Sequence, residues 1–406
     1  PNATGKSDEA IAKQLNKMQG GAVLASRKSS SWDHSNEKIG DLCNFYATNP
    51  YPQFGEKSTL ANSTIDNCKF VYETEHAKFF VDQNTRGTYS PYAEQMEAWV
   101  KEEGGLASYF DKYGSVSLYK VLHEYFGDVA DVDNDGKVSI LITPQLTAWH
   151  NGLLGLFAYE GMVPGFPLDD DNVFPEVRDF IMIAPPVGGT FSNKSKNQLI
   201  TNLLHECQHA VNFSARAFHN NTFTGVDKQA YAEELGFDEG CSVYAEAICR
   251  RLLGEAGFDT LYDYKTGGTG LEYTGNDQRF ACFEGLDIFK SLYPFYYEYG
   301  DWHTYYNYST MGLFMLYLSD RFSPAKVKEL VQLDFQGSKL HAKIPNMLGV
   351  SSFNELERGW HIAMENEVLK NEKGQNDIGV SSNYCFRDWL KLPLKKRNFK
   401  VKNVKQ

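Results

Sequence analysis

In the stretch Leu199-Ile200-Thr201-Asn202-Leu203-Leu204-His205-Glu206-Cys207-Gln208-His209-Ala210-Val211, the apolar residues recur every three to four positions, the period of an α-helix. The pattern predicts a helix over 197–218. His205 and His209 fall four residues apart inside it, so both imidazoles project from one face and fit a single metal ion. Glu206 follows the first histidine, where its carboxylate reaches a metal-bound water rather than the metal, as a general base must. A chance His-Glu-x-x-His arises in roughly one or two such chains per hundred. The alternative, two histidines that only satisfy core or surface hydrogen bonds, is therefore weighed on context, and the placement within a long amphipathic helix favours metal.

Outward from this helix the two halves of the chain differ. Upstream, short apolar runs at 69–72, 78–82, 138–143 and 179–184 end in polar or Pro/Gly punctuation and read as strands. Between them, 91–103 and 115–126 carry helical spacing. Downstream, helical segments are expected at 228–253, 306–321, 324–333 and 352–367, and 255–299 is expected to be loop-rich. Strands followed by a run of helices predict an α+β fold, with a mixed N-terminal part and a mainly helical C-terminal part flanking a cleft. The expected divisions are an irregular lead-in over 1–68, rich in Ser, Asn, Lys and Gly, a catalytic part over 69–223, a helical part over 224–390 and a basic tail over 391–406.

The 406 residues, 42% of them hydrophobic, suffice for a full core. A net charge of -12 argues against a nucleic-acid partner, which would need a basic face. No run reaches the roughly 18 to 20 apolar residues of a membrane helix, so no transmembrane segment is expected. None of the seven cysteines makes a Cys-x-x-Cys pair. Cys43 and Cys68 are the easiest disulfide to imagine, with buried free thiols as the other possibility.

A catalytic zinc needs a third protein ligand and one open position. Asn212 and Ala215 stand where the continuation x-x-Gly-x-x-His would require Gly and His, which excludes the metzincin arrangement. Farther on, Glu239 and Glu246 are seven residues apart, two helical turns, and share a face. Glu239 is the expected third ligand. Glu246 would then sit behind the metal, accepting the free N–H of a ligand histidine. Glu233, Glu234 and Asp238 are expected to be solvent-exposed. Asp131, Asp133, Asp135 and Gly136 look like the opening of a calcium loop, but position twelve is Ile142 where the closing acid belongs. That predicts a tight acidic turn before a strand, not an EF-hand.

The pattern Glu239, Gly240, Ser242, Ala245 and Glu246 resembles the second zinc helix of gluzincins, most closely the hyicolysin family of neutral metallopeptidases. The acidic turn at 131–136 running into 137–142, and the late helix around Trp360, are further matches. The resemblance spans 69–367. It implies a zinc-dependent endopeptidase acting on proteins or peptides, and a Tyr or His that holds the oxyanion. Tyr308 is the first candidate for that role, with Tyr305, Tyr306 and His303 as rivals. A gluzincin-type aminopeptidase is the nearest alternative, although no residue can be assigned to bind a substrate amine and no Gly-x-Met-Glu-Asn precedes the zinc helix. A surface binding protein with a retained structural zinc site is the other. The resemblance also places the expected location outside the cytoplasm, secreted or surface-anchored.

Overall fold

The computed structural model describes residues 34–50, 63–84, 92–150, 153–162, 177–186, 193–215, 228–255, 303–333 and 340–369. The strands are β1 (Leu42–Tyr46), β2 (Thr64–Glu73), β3 (Ala77–Asp82), β4 (Val138–Ile142), β5 (Gly155–Phe157) and β6 (Phe180–Ile183). The helices are α1 (Tyr92–Lys101), α2 (Leu106–Asp111), α3 (Leu118–Tyr125), α4 (Gln145–Trp149), α5 (Asn193–Ser214), α6 (Lys228–Glu255), α7 (His303–Phe322), α8 (Pro324–Val331), α9 (Leu340–Leu348) and α10 (Phe353–Leu369). The fold is mixed α+β. Among the described residues no helix is long and apolar enough to cross a membrane.

The strands form one sheet in the order β1-β2-β3-β4-β6-β5. β3, β4 and β6 are parallel, while β1, β2 and β5 run antiparallel to their neighbours. The three parallel strands sit between others and are buried at every position, which is why they read as nearly continuous apolar runs. Alternation divides their side chains between two faces. Phe80, Leu141, Phe180 and Met182 join Phe45, Ile65, Cys68 and Phe70 in one core cluster. Phe79, Ile140, Ile142, Ile181 and Ile183 are buried on the other. Helices α1 and α2 pack on β3, and α5 packs on β5 and β6. Phe79 meets Phe110 of α2 edge-on, with ring centroids 6.2 Å apart. Each such ring removed from water stabilises the fold by about 1.5–3 kcal/mol.

Regular structure begins earlier than the residue 69 suggested by composition. β1 and the first half of β2 lie within the expected lead-in, and Phe45 and Ile65 are 1% exposed. β1 is an edge strand with only Phe45 fully buried, so its polar surroundings hide it from a hydrophobic pattern. The boundaries expected at 223/224 and 390/391, the loop-rich segment 255–299 and the basic tail lie outside the described residues. Cys43 and Cys68 stand opposite each other in β1 and β2, yet both are free thiols. The Cys43 Sγ turns to Glu37 Oε1 at 3.5 Å and the Cys68 Sγ to the Ile65 carbonyl at 3.4 Å. Burial, reinforced by Glu37, pushes the Cys43 thiol up to about 12.

The chain divides into two compact units. The first carries the sheet, α1 to α5, α8 from Val327, and the two ends of α6, up to Tyr231 and from Ala245. The second carries 232–244 of α6 with α7, α9 and α10. Its core is built on Phe314, Tyr317, Leu356 and Trp360, and the Phe314 and Trp360 rings meet edge-on at 5.5 Å. Gly240 and Gly312 let α6 and α7 approach closely. A Cβ on Gly312 would come within 2.3 Å of Val243 Cγ1, and one on Gly240 within 3.1 Å of Met311 Cβ.

Candidate metal centre

Helix α5 is enclosed along most of its length. Leu199, Ile200, Leu203, Leu204, Cys207, Ala210 and Val211 are all 3% exposed or less. The buried Ser214 hydroxyl on the same helix donates to the Ala210 carbonyl at 2.7 Å and accepts from the Ala130 N–H at 2.8 Å. Within this setting His205 and Glu206 are 7% and 8% exposed, and His209 is partly buried. Burial pushes the Cys207 thiol well above its ordinary value, with the Glu206 charge adding to the effect.

The two imidazoles converge. His205 Nε2 and His209 Nε2 are 3.0 Å apart, with the rings at 76° to each other. Two nitrogens each about 2.0–2.1 Å from one tetrahedral zinc lie about 3.3 Å apart, so this pair is close to ligating geometry. Behind His205, Nδ1 meets Glu246 Oε1 at 2.6 Å, and the Glu246 side chain is fully buried. A carboxylate at that distance assigns the proton to Nδ1, which leaves a lone pair on Nε2 and aims it toward His209.

Two turns N-terminal to Glu246 on α6, Glu239 is 8% exposed. Glu239 lies in the segment of α6 that belongs to the second unit, while His205, His209 and Glu246 lie in the first. Two imidazole nitrogens and one carboxylate oxygen are a donor set that suits zinc and leaves a coordination position open. No family model matches the chain, and no curated protein matches it.

Other site residues fall differently. Tyr308 lies in the backbone of α7, as do Tyr305, Tyr306 and His303, but their side chains are outside those described. The side chains of Glu233 and Glu234 are likewise outside, and Asp238 is half-buried rather than exposed. Reading of the sequence passed over Gly155 of β5. A Cβ built there would lie 2.4 Å from Glu206 Oε1 and 2.6 Å from its Cγ, so any larger residue would have to displace the Glu206 side chain. A lone glycine in a short strand was the available signal.

Proposed function

We propose that the chain is a zinc-dependent endopeptidase in which His205, His209 and Glu239 hold the metal and Glu206 is the general base. The observation that carries this reading is the pair of Nε2 atoms 3.0 Å apart, with His205 held from behind by Glu246 at 2.6 Å. Zinc, when bound, lowers the pKa of a coordinated water toward about 7 and polarises the scissile carbonyl. Glu206 takes the proton from the attacking water and delivers it to the leaving amine. Glu246 keeps His205 in the Nδ1–H tautomer, so that its other nitrogen stays a donor to the metal. Tyr308 is assigned to the oxyanion that forms on the substrate carbonyl.

The resemblance to the hyicolysin-type gluzincins, and the extracytoplasmic location that goes with it, belong to the same proposal. β5 ends the sheet among the described residues, and its Gly155 lies against Glu206. An extended peptide added to that edge would run past the base at any point along its length, which favours internal cleavage over removal of terminal residues.

The test is zinc content and casein hydrolysis for the native chain and for Glu206→Gln, prepared in parallel. Stoichiometric zinc is expected in both, with activity about a hundred to ten thousand times lower in the variant. Zinc in both with hydrolysis in neither would point to a structural metal site. A native chain that takes up no zinc sinks the proposal.

A further inference from the structure

β4 and β6 are parallel neighbours, so their N-terminal ends lie side by side at one end of the sheet. Asp131-Val132-Asp133-Asn134-Asp135-Gly136-Lys137 leads into β4, and Asp179 immediately precedes β6. The Ser139 N–H donates to the Asp179 carbonyl at 3.0 Å and fixes that register. The loop is wound tightly, with Asn134 and Gly136 in the left-handed region at φ 58° and 74°. The Gly136 N–H donates to Asp131 Oδ1 at 3.2 Å, and the Lys137 N–H to Asp135 Oδ1 at 2.8 Å. As a result Asp131, Asp133 and Asp179 each bring one carboxylate oxygen within 4.8 Å of the others.

Two of these three acids are buried. Asp133 is 0% exposed, and neither of its carboxylate oxygens meets a hydrogen-bond donor other than the Asp179 carboxyl itself. Asp179 is 2% exposed, and its Oδ1 likewise meets none. The permanent cations nearby are engaged elsewhere. Lys78 pairs with Asp135 at 2.8 Å and Glu37 at 3.3 Å. Arg178 is bound to Glu37, to His34 at 2.9 Å and to the Ser139 hydroxyl at 3.2 Å. Burial, then the neighbouring Asp135, pushes the Asp133 carboxyl up to about 7, with Asp179, His34 and Arg178 opposing. Burial and then Asp133 drive Asp179 well above the usual carboxylate range. Buried carboxylates that face each other without donors are held together by a shared proton or by a shared cation.

We propose that Asp131, Asp133 and Asp179 bind a calcium ion that joins the loop before β4 to the start of β6. An all-oxygen, all-carboxylate donor set selects a hard cation over zinc or copper. Oxygens about 2.3–2.6 Å from one calcium lie within about 5 Å of each other, and calcium accepts the irregular geometry of a loop and a strand end, whereas magnesium demands a near-ideal octahedron. The site is not an EF-hand. Ile142, where the closing acid of such a loop would stand, is buried in β4, and Asp135 is spent on Lys78. Asp179 supplies the distant acid instead, through strand pairing.

Equilibrium dialysis of the full chain, stripped of metal by chelator, against radioactive calcium chloride at about 1 mM tests the assignment. One equivalent of calcium is expected to be retained, with a rise in the thermal unfolding midpoint. Asp131→Asn, at an exposed ligand whose loss leaves the core intact, and Asp179→Asn are each expected to weaken retention tenfold or more. The double variant His205→Ala/His209→Ala is expected to keep calcium, which separates this site from the proposed zinc centre. A native chain that retains no calcium would mean that the carboxylates share a proton, and calcium retained undiminished in both aspartate variants would place the ion elsewhere; either result overturns the proposal.

Discussion

His205 and His209 reach each other through four residues of a single helix, whereas Asp133 and Asp179 meet only because two strands distant in sequence run parallel side by side. The first arrangement exists wherever α5 is helical. The second exists only once the sheet has formed, and it depends on Lys78 and Arg178 being occupied by Glu37 and Asp135. The histidine pair is set by one helix and needs only Glu246 of α6 brought up behind it, while a site made by topology inherits the condition of everything that holds the strand ends. Substitutions chosen to strike one and spare the other probe that distinction.

The largest expected effect comes from Glu37→Gln. Burial acts to raise the Glu37 carboxyl, but the hydrogen bonds from His34 and Arg178 outweigh it and hold it well below the usual carboxylate range. Breaking this partly buried pairing is expected to destabilise the protein by about 3 kcal/mol at neutral pH, read from urea unfolding. Because the folded-state pKa is depressed, Glu37 contributes its full stability above its ordinary value of 4.5 and loses it as the pH falls toward the folded-state value. The gap between native and variant is therefore widest above that pH and narrows in acid. A gap that widened on acidification would contradict the assignment. Calcium retention should fall with it, since Arg178 becomes available to the aspartates, while zinc content should not change.

Glu246→Ala strikes the other site. Without the carboxylate behind His205, zinc affinity measured by competition with a chelator is expected to drop about 10–100-fold. Calcium retention should be unaltered, and a parallel loss of calcium would show that the two sites are not separately encoded. The smallest effect expected is that of Gly155→Ala. The added methyl displaces Glu206, so activity should fall about tenfold with zinc content unchanged.

Legibility in the sequence followed the same division. β3, β4 and β6 were visible as apolar runs because both their faces are buried, and α5 and α6 because their periodic patterns are long. β1 and β5 were not, being short edge strands in which a single residue or none is fully buried. α2, at six residues, and α4, at five, are too short for a period to show, and α9 carries Pro345 within it, a residue that argues against a helix. In the candidate site, the four-residue and seven-residue spacings brought His205, His209, Glu239 and Glu246 forward as a group. Nothing in the sequence tied Asp179 to Asp133, because that proximity depends on strand order and register, and the loop at 131–136 taken alone reads as a turn.

The parallel pairing of β4 with β6 also bears on the order of folding. Parallel strands cannot be joined by a tight turn, so the chain between them must close a long loop before any hydrogen bond between them repays the lost entropy. The mutual repulsion of Asp131, Asp133 and Asp179 arises at that same moment. Refolding without divalent cations should therefore be slowed at a late, sheet-completing step, while the formation of α5, with its histidines already in register, runs ahead of it.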